Sequence, residues 1–225
     1  MLTFTTPRPD SERPDHAHQQ LIGYIGLILP FLLIALAIAR DGLTRWKELD
    51  SISAYYYTGA LAAFVGMLVS LALFLFTYRG YKNKYQWADR FFSTVAAVAA
   101  LGVAFFPATA PAGVPPLVWW SKTTLFIHYF SAGTLFSMFA IFSLWLFRIT
   151  PDKDMASPGK RWRNRIYLVC GLLIVAGMVW VGIAGHNKQS IFWPESLVLI
   201  AFSISWLVKG QAHATVVSAV RSLTR

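Results

Sequence analysis

Six unbroken apolar blocks of roughly twenty residues, separated by short polar turns, set the pattern of this chain. A helix rises 1.5 Å per residue and a bilayer core is about 30 Å thick, so about twenty apolar residues make one span. The blocks predict helices over about Leu21–Ala39, Tyr57–Tyr78, Phe91–Phe106, Leu125–Phe147, Ile166–Ala184 and Ile191–Val208. Short alternating segments, the signature of membrane strands, are not visible. Pro30 falls in the middle of the first span and is expected to kink it. Residues 1–19 form a polar tail, 20–209 the six-span domain, and 210–225 a short tail. In that last tail Val216, Val217, Val220 and Leu223 share a helical face beside Arg221, a pattern suited to the membrane surface. The fold expected is all-α, a six-helix transmembrane bundle.

Composition agrees with this reading. Of 225 residues 56% are hydrophobic and 13% charged, with mean hydropathy +0.51; soluble domains carry about 25% charged residues. The net charge of +10 sits in short turns between apolar blocks, which points to topology control and anionic lipid, not to nucleic acid. Six spans place both termini on one side. That side holds 15 of the 20 lysines and arginines: 2 in the N-terminal tail, 4 after span two, 6 after span four and 3 at the C-terminus. Both termini are therefore expected in the cytoplasm. The first 20 residues mix acids, arginines and prolines, unlike a cleaved signal peptide, so the first span is expected to remain. Cys170 is the only cysteine, which rules out an intrachain disulfide or a thiolate cluster.

This topology brings the least bland residues to the outer face. Asp50-Ser-Ile-Ser-Ala-Tyr-Tyr-Tyr-Thr58 has more hydroxyls than a span needs at its mouth. Ser51 and Ser53 are plausible N-caps, and tyrosines belong to membrane interfaces. Three tyrosines in a row nevertheless point in different directions, so at least one should face the bundle. Glu195 is the one acid outside tails and loops. Either it sits in a helical first turn after Pro194, where the dipole favours an acid, or it is a site carboxylate. His128, one turn into span four, is either bonded to a neighbouring helix or a ligand-binding and proton-transfer group. Ser53, Tyr55, Tyr56, Tyr57, Thr58, His128 and Glu195 are the pocket candidates. Asp50, Trp119, Trp120, His186 and Asn187 are secondary, the tryptophans lying in a Pro-rich hairpin that could cover the site. A zinc site would want three protein ligands, which His128 and Glu195 reach only if His186 or Asp50 joins, so no metal is expected. No Gly-x-Ser-x-Gly elbow or Walker-type loop occurs, and no cofactor is indicated. Ala62 with Gly66, Gly133 with Ser137, and the glycines of span five suggest close helix contacts and a possible oligomer.

Several motifs carry a resemblance. Ser51-Ile-Ser-Ala-Tyr-Tyr-Tyr-Thr58, Phe64-Val-Gly66, Tyr78-Arg-Gly-Tyr81, Asp89, Ala104-Phe-Phe-Pro107, His128, Arg163-Asn164, Cys170-Gly171, Trp193 with Glu195, and Ser205-Trp-Leu-Val-Lys-Gly210 resemble an uncharacterised family of bacterial six-span proteins. The resemblance covers spans two to six and implies a multi-pass protein of the bacterial inner membrane. A looser similarity extends to the Frag/DRAM/Sfk membrane proteins, through an Ile-Ser start to span two, a histidine opening span four and an acid–aromatic pair at span six. It implies an association with lipid. Here the order is Trp193-Pro-Glu195, whereas those proteins tend to place the acid directly before the tryptophan.

Three functions are compatible with this reading. An outward-facing pocket could bind or move a lipid headgroup or small amphiphile. A membrane-embedded hydrolase or transferase could use His128 with Glu195 or Asp50 as acid and base. An assembly or regulatory subunit would need neither. Membrane lipids are the partners expected in every case.

Overall fold

The computed structural model describes residues 16–42, 49–80, 84–149 and 158–211. The tail sequences 1–15 and 212–225 lie outside them, and with them the expected C-terminal amphipathic face. Among the described residues there is no strand. Six helices run α1 His16–Asp41, α2 Leu61–Thr77, α3 Gln86–Phe105, α4 Lys122–Leu144, α5 Pro158–His186 and α6 Phe192–Lys209, with a 3₁₀ helix, Ile52–Tyr57, between α1 and α2. All except α2 are long and apolar enough to cross a membrane; α2, with 17 residues, is shorter.

The boundaries move for local reasons. α1 starts at His16, earlier than the apolar block, because polar side chains hold its first turns. His18 Nε2 donates to the Phe74 carbonyl at 2.7 Å, and Gln20 Nε2 to the Gly210 carbonyl at 2.7 Å. The helix is continuous through Pro30. α2 starts four residues later than expected because Tyr57 belongs to the 3₁₀ helix and Thr58 ends it. The Thr58 hydroxyl donates to the Tyr55 carbonyl at 2.8 Å and accepts from Ala60 N–H at 3.1 Å.

Each helix packs on its neighbours in sequence, and α1 closes the ring against α6. Consecutive helices run in opposite directions, so the starts of α2, α4 and α6 meet the ends of α1, α3 and α5 at one end of the bundle. Phe31, Phe76, Val98, Phe130, Val169 and Val179 are exposed on its outside, as a lipid-facing surface requires. The interior is layered. At mid-depth the rings of Phe139 and Phe202 stack 3.6 Å apart. Beyond them Tyr78, Phe142, Phe147 and Trp206 form a continuous aromatic plug.

Close helix contacts fall in part at other small residues than expected. A Cβ at Gly26 would lie 2.6 Å from Ser203 Oγ, and one at Gly102 would overlap Ser131. Around Gly66 and Gly133 there is open space instead. The span-five expectation holds at Gly171 and Gly177, where Leu144 and Val198 press in, and not at Gly182.

Opposite the 3₁₀ helix, Gly80 has φ +68° and its absent Cβ would collide with the Asp89 side chain. Gly80→Ala is therefore expected to lose about 1–2 kcal/mol from the left-handed backbone alone, plus the displacement of Asp89. A thermal melt of the purified protein checks this.

Candidate functional site

The 3₁₀ helix is the keystone of the site. Ser51 caps it, its side chain accepting from Ala54 N–H at 3.1 Å. With only three residues per turn, Tyr55, Tyr56 and Tyr57 fan out in three directions. Tyr55 is buried against Phe192. Tyr56 packs on Phe64 and Tyr57. The Tyr57 hydroxyl donates to the Ala108 carbonyl at 2.8 Å and pins the loop after α3.

Three further bonds fix this short helix in the bundle mouth. Ile52 N–H donates to Glu195 Oε2 at 2.7 Å, and Ile191 N–H donates to the Asp50 carbonyl at 2.6 Å, coupling its start to the start of α6. On the other side His128 Nε2 lies 3.0 Å from Ser53 Oγ, while His128 Nδ1 lies 2.6 Å from the Phe106 carbonyl. A carbonyl only accepts, so Nδ1 carries the proton. In the neutral ring Nε2 is then the acceptor, and the Ser53 hydroxyl donates to it.

These groups line a cavity of about 490 Å³. Its mouth carries Asp50, Ser51, Thr109 and Gln189; Ser53, His128 and Glu195 stand deeper, and Phe136, Met178 and Val181 supply apolar wall. Gly133 is among the lining residues, and a Cβ there would meet open space. A small apolar recess of about 30 Å³ lies behind Ser53 and Glu195, against Leu29, Leu68 and Leu199. Among the described residues that line it there is no lysine or arginine, and two are carboxylic acids.

The structure thus gathers Ser53, His128, Glu195 and Asp50 around one space. It places the other sequence candidates elsewhere. Tyr55, Tyr56, Tyr57 and Thr58 build the 3₁₀ helix and its end and do not line the cavity: Tyr55 turns to Phe192, Tyr56 to Phe64 and Tyr57 to the Ala108 carbonyl, while Thr58 bonds back to Tyr55. Trp119, Trp120, His186 and Asn187 are not lining residues either; His186 and Asn187 are exposed. Cover from the loop after α3 comes from residues 108–112 instead of the tryptophans. Gln189, Met178 and Phe136 were not singled out by the sequence; helical register could have marked Phe136, two turns after His128 on α4, whereas Gln189 lies in the turn between α5 and α6. Among the described residues no three His, Cys, Asp or Glu side chains converge as metal ligands.

At the opposite end, Asp89 and Lys209 are both buried, with the half-buried Lys160 and Arg163 nearby. Lys209 reads in sequence as an interfacial anchor, but its Nζ lies over the Phe147 ring at 5.0 Å, inside the protein. Asp89 reads as a loop acid and is in fact in the first turn of α3. Comparisons with protein-family profiles, curated proteins and solved structures find no match.

Proposed function

We propose that the protein is a six-span protein of the bacterial inner membrane that binds the headgroup of a lipid or other amphiphile in an outward-facing pocket. The observation that carries this is the cavity itself, at the end of the bundle where Asp50, Ser53, His128 and Glu195 gather, with these polar side chains set beside an apolar wall of Phe136, Met178 and Val181. An amphiphile has the matching division. α2 counts as the sixth span: its 17 residues cover about 25 Å, and the 3₁₀ helix fills the remaining depth. The basic excess at the other end, with Arg79, Lys84, Arg161, Arg163 and Arg165, supports a cytoplasmic placement for that end and both termini. The resemblance to lipid-associated membrane proteins points the same way.

Two refinements follow. The stacked Phe139–Phe202 pair and the plug below it close the interior, which favours binding from one side over passage through the bundle. Among the described lining residues Asp50 and Glu195 are acids and none is lysine or arginine, which favours a neutral or cationic headgroup over a phosphate monoester.

Native mass spectrometry of the protein released from mixed bilayers tests this. Neutral or zwitterionic lipid should be retained in preference to phosphatidylglycerol. Gly133→Leu fills the cavity from a position with no neighbour within 4 Å of its Cβ, and should cut retention at least about tenfold, ~1.4 kcal/mol, without lowering the melting temperature. Retention unaffected by Gly133→Leu would refute the pocket.

A further inference from the structure

The capping role that serines at this position invite accounts for Ser51 and not for Ser53. Ser51 Oγ accepts from Ala54 N–H, whereas Ser53 Oγ turns to His128 Nε2 at 3.0 Å. The proton on Nδ1, held by the Phe106 carbonyl at 2.6 Å, leaves the Nε2 lone pair facing that hydroxyl. This is the relation of a nucleophile to its general base, with a third group orienting the base. The third group is a backbone carbonyl and not an acid, so it fixes ring orientation and tautomer and adds only a partial charge. Ser53 also lines both the main cavity and the apolar recess behind it, so its oxygen borders the space a ligand would fill. A mere tie between the 3₁₀ helix and α4 would need no polar pair, since burying one costs more than packing two apolar side chains.

From this geometry we infer that Ser53 is an acyl-accepting nucleophile and His128 its general base, acting on a carboxylic ester of a neutral or cationic amphiphile. The inference rests on the pocket reading and names the chemistry of the same site. Ser53 Oγ attacks the ester carbonyl carbon while its proton passes to His128 Nε2. The tetrahedral adduct collapses with cleavage of the acyl C–O bond, and the departing alcohol takes the proton from Nε2. Acyl-Ser53 is then opened by water or by a second alcohol, which gives its proton to Nε2; that proton returns to Ser53 Oγ as the acyl group leaves. The first case releases a fatty acid and the second a new ester. Thr109 and Gln189 also line the cavity and carry the kind of donor group that a developing oxyanion calls for. Glu195 serves as a positioning residue, since its carboxyl group holds Ile52 N–H and with it the residue next to Ser53.

The test uses the full chain in lipid nanodiscs with a neutral dodecyl fluorophosphonate, which forms a P–O bond to an activated serine and expels fluoride. Intact mass and peptide mapping should show one adduct, on Ser53. Ser53→Ala should remove it, and His128→Gln should slow it by about 100-fold or more at an unchanged melting temperature. The wild-type protein decides the matter even if either variant fails to fold. No adduct on Ser53, with neutral amphiphile still retained in the cavity, overturns acyl transfer and leaves the binding reading standing. No adduct and no retention overturns both. An adduct formed equally fast in a folded His128→Gln variant overturns the role of His128.

Discussion

Trp206→Ala is expected to be among the most destabilising single changes in this protein, at about 3 kcal/mol. Trp206 has no exposed surface. Its ring meets Tyr78 at 4.9 Å, Phe147 at 5.0 Å and Phe142 at 5.3 Å, rings from the end of α2, the turn after α4, and α4 itself. Removing it detaches three elements from α6 at once. The figure belongs at the low end of the usual range for a lost aromatic, because burial from lipid gains little hydrophobic free energy and the loss is one of packing. Nor is a hydrogen bond sacrificed: the buried indole nitrogen has no partner among the described residues. Trp206→Phe keeps much of the ring contact and should cost less than half as much. Thermal denaturation in one detergent, followed by tryptophan-independent light scattering, measures both. A Trp206→Ala melting temperature equal to that of wild type would mean that the plug does not hold the bundle together.

The spans could be read from the chain because each apolar block is a local property, and length plus hydropathy decide where it sits. Their ends were less legible. Tyr57 looks like the first residue of a span, yet the hydroxyl of Thr58 and the cap at Ser51 draw it into a 3₁₀ turn. That His128 and Glu195 lie at one end of the bundle was legible for a topological reason, since the starts of even-numbered spans must share an end; that both line one space was not. Nor was the Ser53–His128 bond. It depends on which of two neighbouring serines becomes the cap, and on the Phe106 carbonyl orienting the ring, and neither fact is written in hydropathy. The tyrosines misled because their composition says interface while their direction is set by the pitch of a six-residue helix. Asp89 and Lys209 misled similarly: each looks like a solvated end charge until distant segments enclose it.

Glu195→Gln and Glu195→Leu are expected to separate the two things this side chain does. Its Oε2 accepts from Ile52 N–H at 2.7 Å in a buried position, and it also lines the cavity. Glutamine keeps an oxygen that can accept the same bond. The start of α6 is held independently as well, by Ile191 N–H on the Asp50 carbonyl at 2.6 Å, with the Ser190 hydroxyl on the same carbonyl at 3.3 Å. Glu195→Gln should therefore melt within a few degrees of wild type. Leucine offers no acceptor, and the Ile52 N–H is left buried and unpaired at a cost of about 1–3 kcal/mol. Because Ile52 is adjacent to Ser53, the loss should also slow fluorophosphonate labelling of Ser53. Ligand charge gives the second readout. Retention of a cationic amphiphile such as dodecyltrimethylammonium should fall about tenfold or more in Glu195→Gln, with a neutral alkyl glycoside held as before. Equal loss of both ligands in a folded Glu195→Gln variant would show that the carboxyl group shapes the pocket without selecting charge. Equal destabilisation by glutamine and leucine would show that an amide oxygen cannot replace the carboxyl oxygen on Ile52 N–H, and that the tie between α6 and the 3₁₀ helix depends on the acid itself.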